Sequence, residues 1–303
     1  MLTPDAIRRE VAAIRAGTNR AFNVNFFCHT PPTASGQRDE AWRAALAPYY
    51  AELGIRADSI PTRPTRAPFD NEMADILEEF KPPVVSFHFG LPSAQLLSRV
   101  KASGARLLSS ATTVEEARWL EANGVDAIIA QGFEAGGHRA TFLTKDVSTQ
   151  LGTFALLPQL VRAVRLPVIA AGGIVDAAGV AAAIALGAAG AQVGTAYLLC
   201  PEATTSAVHR TALKSKEAGH TALTNLFSGR LARGIVNRIM RELGPISTLA
   251  PEFPLAAAAI APLRAAAESR GLGDFSPLWC GQNASGCREV PAAEVTRELV
   301  AGF

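Results

Sequence analysis

Over the first 200 residues, short aliphatic runs alternate with longer stretches whose apolar positions recur every three or four residues. The short runs predict strands at 22–27, 84–89, 106–110, 126–130, 168–171 and 190–193. Each is nearly continuous in apolar residues, as expected where helices or a filled barrel cover both faces. The longer stretches predict helices at 4–16, 39–53, 71–80, 93–103, 114–123, 153–164 and 176–186. Several of these end on glycine (Gly17, Gly54, Gly104, Gly124, Gly187), the residue that closes a helix in the left-handed conformation at least cost. Strand–helix alternation of this kind is the signature of a parallel sheet with crossover helices.

After residue 200 the rhythm changes. A basic helical stretch at 208–218 leads to segments at 221–227 and 230–243, then to an alanine-rich helix within 255–270. The expected organisation is a barrel over residues 1–200, a mainly helical lid or second domain over 201–275, and a segment at 276–303 that packs back on the barrel.

Composition narrows the function. A net charge of +2 with 18% charged residues gives no reason to invoke nucleic acid or an anionic membrane. The longest apolar run, 254–263, is far short of the ~20 residues of a membrane span. Cys28, Cys200, Cys280 and Cys287 form no C-x-x-C pair, which suits a reducing, cytoplasmic setting without disulfides. At the start, Thr3 and Pro4 read as a helix cap and first helical residue, and no apolar core follows as in a signal peptide.

Three strand ends carry chemistry. Gly172-Gly173 follows the strand at 168–171, and Gly194-Thr195 follows the strand at 190–193. Taken alone, each is as readily a plain turn. Two consecutive glycine tips, however, match the phosphate site that barrel enzymes build after strands seven and eight. Neither resembles a P-loop or a G-x-G-x-x-G turn. The third end is Gln131-Gly132-Phe133-Glu134-Ala135-Gly136-Gly137-His138. There Gly136 and Gly137 suit a loop passing close to a flat ligand, and His138 offers a group that exchanges protons near neutral pH. Glu134 reads as a brace for the loop. His88, also at a strand end, is either a pocket residue or a packed histidine. His29, His209 and His220 show no metal-ligand spacing, so no metal is expected. Asn25 lies inside an apolar strand; a buried amide left unpaired costs ~1–3 kcal/mol, so a cofactor edge or a backbone group is its expected partner.

These segments resemble the nitronate monooxygenases, formerly 2-nitropropane dioxygenases. The likeness is carried by Val24-Asn25-Phe26-Phe27, Val85-Ser86-Phe87-His88-Phe89-Gly90, the Gln131–His138 segment, Ala170-Ala171-Gly172-Gly173-Ile174 and Gln192-Val193-Gly194-Thr195-Ala196. Phe227-Ser228-Gly229-Arg230, Ala232-Arg233-Gly234 and Leu278-Trp279-Cys280-Gly281-Gln282 extend it almost to the C-terminus. The resemblance implies an α/β (β/α)8 TIM-type barrel and a non-covalent FMN. Its phosphate would sit between Gly173 and Gly194-Thr195, and its ring would meet Asn25, Gln131 and Gly136. Gly137, Ala171, Gly172, Gln192 and Val193 complete the implied cofactor set. It further implies His138 as the catalytic residue, His88 as a candidate substrate contact, and oxidation of alkyl nitronates by O2 to a carbonyl compound and nitrite. The alternatives are a related FMN-dependent NAD(P)H enoyl-[acyl carrier protein] reductase, or an inactive truncated barrel. The chain departs from the family pattern at Ala140, at Asp176-Ala177-Ala178-Gly179, and at its front. If the glycine tips end strands seven and eight, the strand at 22–27 is strand three. The expectation is therefore a barrel lacking its first two strands, with the native start upstream by the roughly 30 residues of a strand–helix–strand unit. Oligomeric state is not legible.

Overall fold

The computed structural model describes residues 2–33, 35–56, 60 and 67–303. Its strands are β1 (Asn23–Phe27), β2 (Val84–His88), β3 (Arg106–Ala111), β4 (Ala127–Gln131), β5 (Gly137–His138), β6 (Val168–Ala171), β7 (Gly190–Gln192), β8 (Thr221–Thr224) and β9 (Ala232–Ile235). Its helices are α1 (Pro4–Gly17), α2 (Gly36–Leu53), α3 (Asn71–Phe80), α4 (Ala94–Ala102), α5 (Val114–Ala122), α6 (Thr153–Ala163), α7 (Ala177–Ala185), α8 (Ala207–Lys214), α9 (Arg238–Glu242), α10 (Ala256–Glu268) and α11 (Ala292–Val300). Six strands form one parallel sheet in the order β1-β2-β3-β4-β6-β7. These are the six predicted strands, with no end shifted by more than one residue. Helix α2 begins three residues before the predicted 39, because the Ser35 hydroxyl caps it by accepting from the Arg38 N–H. Thr3 caps α1 in the same way through the Ala6 N–H.

The six-stranded sheet, with helices on its outer face, is the part-barrel of a TIM-type α/β fold, with β1 and β7 at its two ends. Residues alternate between the two faces of each strand. On the helix side, Val85, Phe87, Leu107, Ile128 and Val168 are buried against Leu77, Val100, Leu120, Leu157 and Leu160. Each such side chain contributes roughly 1.5–3 kcal/mol on full burial. The other parity faces a cavity, and there the residues turn polar: Asn23, Asn25, Ser86, His88, Ser110 and Gln131. This corrects the reading of Asn25 as a buried amide. It is exposed on the concave face, and its Oδ1 accepts from Ser86 Oγ at 2.8 Å.

A second core lies beside the sheet. Ile239, Met240, Ala256, Ile260, Leu263 and Phe275 pack with Trp42, Leu46, Tyr49 and Tyr50. Trp42 Nε1 and Tyr50 Oη donate to the Ala256 and Ala259 carbonyls at 3.3 and 2.6 Å. Helix α2 thus joins this second core, although its place in the chain groups it with the first 200 residues. Strands β8 and β9 pair antiparallel with β5 in the order β5-β9-β8. At the C-terminus, Val295 and Leu299 of α11 join the sheet's core beside Val180. Among the described residues, no helix is long and apolar enough to cross a membrane.

Candidate active site at the strand ends

All thirteen residues that the resemblance implies for the site line one cavity of about 1150 Å³, at the C-terminal ends of the parallel strands. Strands β4, β6 and β7 deliver Gln131, Ala171 and Gln192 to its wall. Beyond β6, Gly172 and Gly173 adopt φ of +123° and +75°, a region that glycine alone enters cheaply. The Thr153 hydroxyl lies 2.9 Å from both the Gly172 carbonyl and Glu134 Oε2, and the Thr153 N–H donates to the same carboxylate. Glu134 therefore braces the β6 tip against the start of α6.

The C-terminal segment completes this corner. The Gly281 N–H donates to Thr195 Oγ1 at 3.0 Å, the Gln282 N–H donates to the Glu134 carbonyl at 2.9 Å, and Asn283 Nδ2 donates to the Gly173 carbonyl at 3.3 Å. Gly281 and Asn283 line the cavity with Gly173, Gly194 and Thr195. The backbone N–H groups of Gly173, Gly194 and Thr195 donate to no described residue. Unpaired backbone N–H groups at strand tips can receive an anion.

His138 sits on β5, outside the parallel sheet, and pairs with Ala232 of β9. Its Nε2 lies 2.8 Å from Ser228 Oγ, and its ring is enclosed by Phe253, Trp279, Phe27 and Phe89 at centroid distances of 5.3–6.0 Å. The Gln131 side chain clamps this loop at two points. Its Nε2 donates to the His138 carbonyl at 3.0 Å, and its Oε1 accepts from the Ala140 N–H at 2.9 Å. Arg139, fully buried, donates to the Gln131 and Gly132 carbonyls at 2.9 and 2.7 Å and to Gln150 Oε1. Burial pulls its guanidinium down to about 10, still cationic at neutral pH.

His88 lies 3.2 Å from the His138 carbonyl through Nε2 and 3.3 Å from Ser110 Oγ through Nδ1. Burial pushes its imidazole down to about 4. His29 is buried edge-on to Phe253, while His209 on α8 and His220 before β8 stand apart from the cavity lining.

Two glycines of this loop have reasons within the protein. A Cβ on Gly136 would lie 2.6 Å from the Cys280 carbonyl carbon and the Gly281 nitrogen, so glycine is needed here to admit the C-terminal segment. Gly137, at φ +74° with nothing within 4 Å of a Cβ, is a matter of backbone conformation. Sequence reasoning assigned no role to Ser228, Arg139, Trp279 or Asn283. Ser228 and Trp279 fall in segments that carried the family resemblance, and only the fold brings them to His138.

The fold is shared with known proteins. The family model for nitronate monooxygenase matches residues 1–302. The chain belongs to the nitronate monooxygenase family. A nitronate monooxygenase of Paraburkholderia phytofirmans is 43% identical over 301 residues, covering 98% of this chain and 82% of that protein. One from Pseudomonas aeruginosa is 43% identical over 298 residues, covering 97% and 84%. Among solved structures, nitroalkane oxidase from Streptomyces ansochromogenes superposes with a TM-score of 0.89 at 37% identity, over 99% of this chain and 85% of that one. FabK from Thermotoga maritima is more distant, with a TM-score of 0.69 at 25% identity, over 100% and 82%. Membership of the nitronate monooxygenase family accounts for glycine-tipped strands and a loop histidine facing one cavity. Within it, Gly136→Ala is expected to destabilise the chain by ~1–3 kcal/mol, because backbone must move to admit the methyl. Chemical denaturation of the purified variant measures this.

Proposed function

We propose that this chain binds FMN in the cavity and uses it to oxidise alkyl nitronates with O2 to a carbonyl compound and nitrite. The observation that carries the reading is that Gly173, Gly194 and Thr195, whose backbone N–H groups donate to no described residue, line one cavity with His138. The residues present fit the cofactor. Gly194 has φ −118°, open to any residue, and no protein atom lies within 4 Å of a Cβ built on it. Nothing in the protein demands glycine there; a phosphate seated against the Gly173, Gly194 and Thr195 N–H groups does. Gly194→Ala is therefore expected to leave the folding midpoint unchanged while weakening FMN retention. Fluorescence titration with FMN, run beside thermal melting, measures both.

A bound flavin would supply the electron exchange between nitronate and O2, while the protein supplies placement and electrostatics. His138 reaches the cavity from the three-stranded sheet, with its Nε2 shared with Ser228. A nitronate has no proton to give up, so toward it the imidazole orients and balances negative oxygens. A neutral nitroalkane has a proton on carbon, and toward it the same imidazole serves as base. Accordingly, His138→Asn should lower turnover of a neutral nitroalkane by about 10²-fold or more, with a much smaller loss on the pre-formed anion. Equal losses on both substrates would assign His138 to binding alone.

Anaerobic mixing tests the whole reading. A nitronate should bleach the flavin absorbance, and NADPH should not. Rapid bleaching by NADPH with no response to nitronate would assign the chain to reductase chemistry, and extraction with mass measurement identifies the flavin as FMN or another form.

A further inference from the structure

His88 lines the cavity, which makes it look like a substrate contact. Its hydrogen bonds argue for another role. A carbonyl oxygen only accepts, so with Nε2 at 3.2 Å from the His138 carbonyl, Nε2 carries the proton. Nδ1 then holds the lone pair and accepts from the Ser110 hydroxyl at 3.3 Å. The depressed basicity of this imidazole makes the neutral Nε2–H tautomer the form present at neutral pH. Both ring nitrogens are thereby committed to protein groups, and neither remains for a substrate oxygen.

We propose that His88 is a positioning residue that acts through the main chain of His138. Its Nε2–H and the Gln131 amide both donate to the His138 carbonyl, and together they fix the direction in which the His138 imidazole enters the cavity. This inference rests on reading His138 as the group that meets the nitronate. The two donors come from different strands, β2 and β4, so the carbonyl is held from two directions. The need for this is local. Gly137, directly before His138, takes φ +74°, and the strand that pairs it with Arg233 of β9 is only two residues long. The His88 ring is itself fixed by the Phe89 and Phe27 rings, at 4.6 and 5.6 Å. Phe89 in turn lies under the Arg230 guanidinium at 3.9 Å.

The test compares His88→Gln, His88→Asn and His88→Leu in the flavin-loaded protein. A glutamine amide nitrogen reaches about as far as Nε2, whereas an asparagine amide reaches only to the Nδ1 position. His88→Asn and His88→Leu should lose kcat on a nitronate by about tenfold to a hundredfold with KM little changed. His88→Gln should recover to within about threefold of the parent, since it restores the donor. Equal impairment of Gln and Asn with a raised KM would make His88 a substrate contact, and unimpaired turnover in all three would make it idle; either overturns the proposal. A second measurement is independent of turnover. Long-range ¹H–¹⁵N spectra of histidine-labelled protein at neutral pH should show His88 as the Nε2–H tautomer. An Nδ1–H or cationic pattern overturns the proposal even if no nitronate is oxidised. Absent turnover in the parent protein together with the Nε2–H pattern would count against the nitronate reading and leave the positioning contact standing.

Discussion

A guanidinium buried among neutral acceptors is the constraint from which the site is built. Arg139 is 1% exposed, and all four hydrogen bonds of its guanidinium go to the Gln131 and Gly132 carbonyls and the Gln150 amide oxygen. A buried cation left without such acceptors costs several kcal/mol, so the acceptors must stay in place. Two of them lie at the start of the loop that Arg139 itself ends. Residues 132–138 are consequently a closed loop with its neck at Arg139, and Glu134, Gly136 and His138 all hang from it. The network continues behind the loop. Gln150 Nε2 donates to Thr112 Oγ1, Thr112 donates to Glu116, and the buried Glu116 carboxylate also accepts from the Phe142 and Leu143 N–H groups. Both sides of His138 are thereby anchored to the strand ends of the parallel sheet.

His138 consequently belongs to two units at once. Its carbonyl is held by side chains of β2 and β4, while its backbone pairs with β9 and its ring nitrogen meets Ser228. The position of the imidazole is set where these two frames meet. Arg230 reinforces the junction by hydrogen bonding to the Thr141 carbonyl. Phe89, beneath it, holds φ +72°, a conformation that costs a bulky residue about 1–3 kcal/mol and survives only where its surroundings over-determine it. The stacked Arg230 and the neighbouring His88, Phe27 and Phe253 rings supply that surrounding.

What the sequence made legible follows from what is local. Strand and helix periodicity, the Thr3 cap, the glycine tips and the loop before His138 are all encoded within a dozen residues, and each appears where expected. What it hid depends on contacts distant in sequence. Asn25 reads as a buried polar residue because strand polarity cannot say that its face of the sheet opens on a cavity. The place of helix α2 in the second core is hidden because its apolar face does not name α10, more than 200 residues later, as its partner. The need for glycine at 136 has a source the sequence does not show, the Cys280–Gly281 backbone some 140 residues away. Ser228 and Asn283 are ordinary polar residues until the fold brings them to the site.

The same distinction applies to the polar groups around His138 and the glycine tips. Several acceptors there are already used by the protein. Asn25 Oδ1 is taken by Ser86, Gln131 Oε1 by Ala140, the Glu134 carboxylate by Thr153, the His138 carbonyl by two donors, and His88 Nδ1 by Ser110. Donors remain: the N–H groups of Gly173, Gly194 and Thr195, and the Asn25 amide, give nothing to any described residue. Free N–H donors at the glycine tips favour groups rich in negative oxygen. A phosphate and a nitronate are both of that kind. His138 stands among aromatic rings on the same lining, so donors for negative oxygen and an imidazole share one cavity.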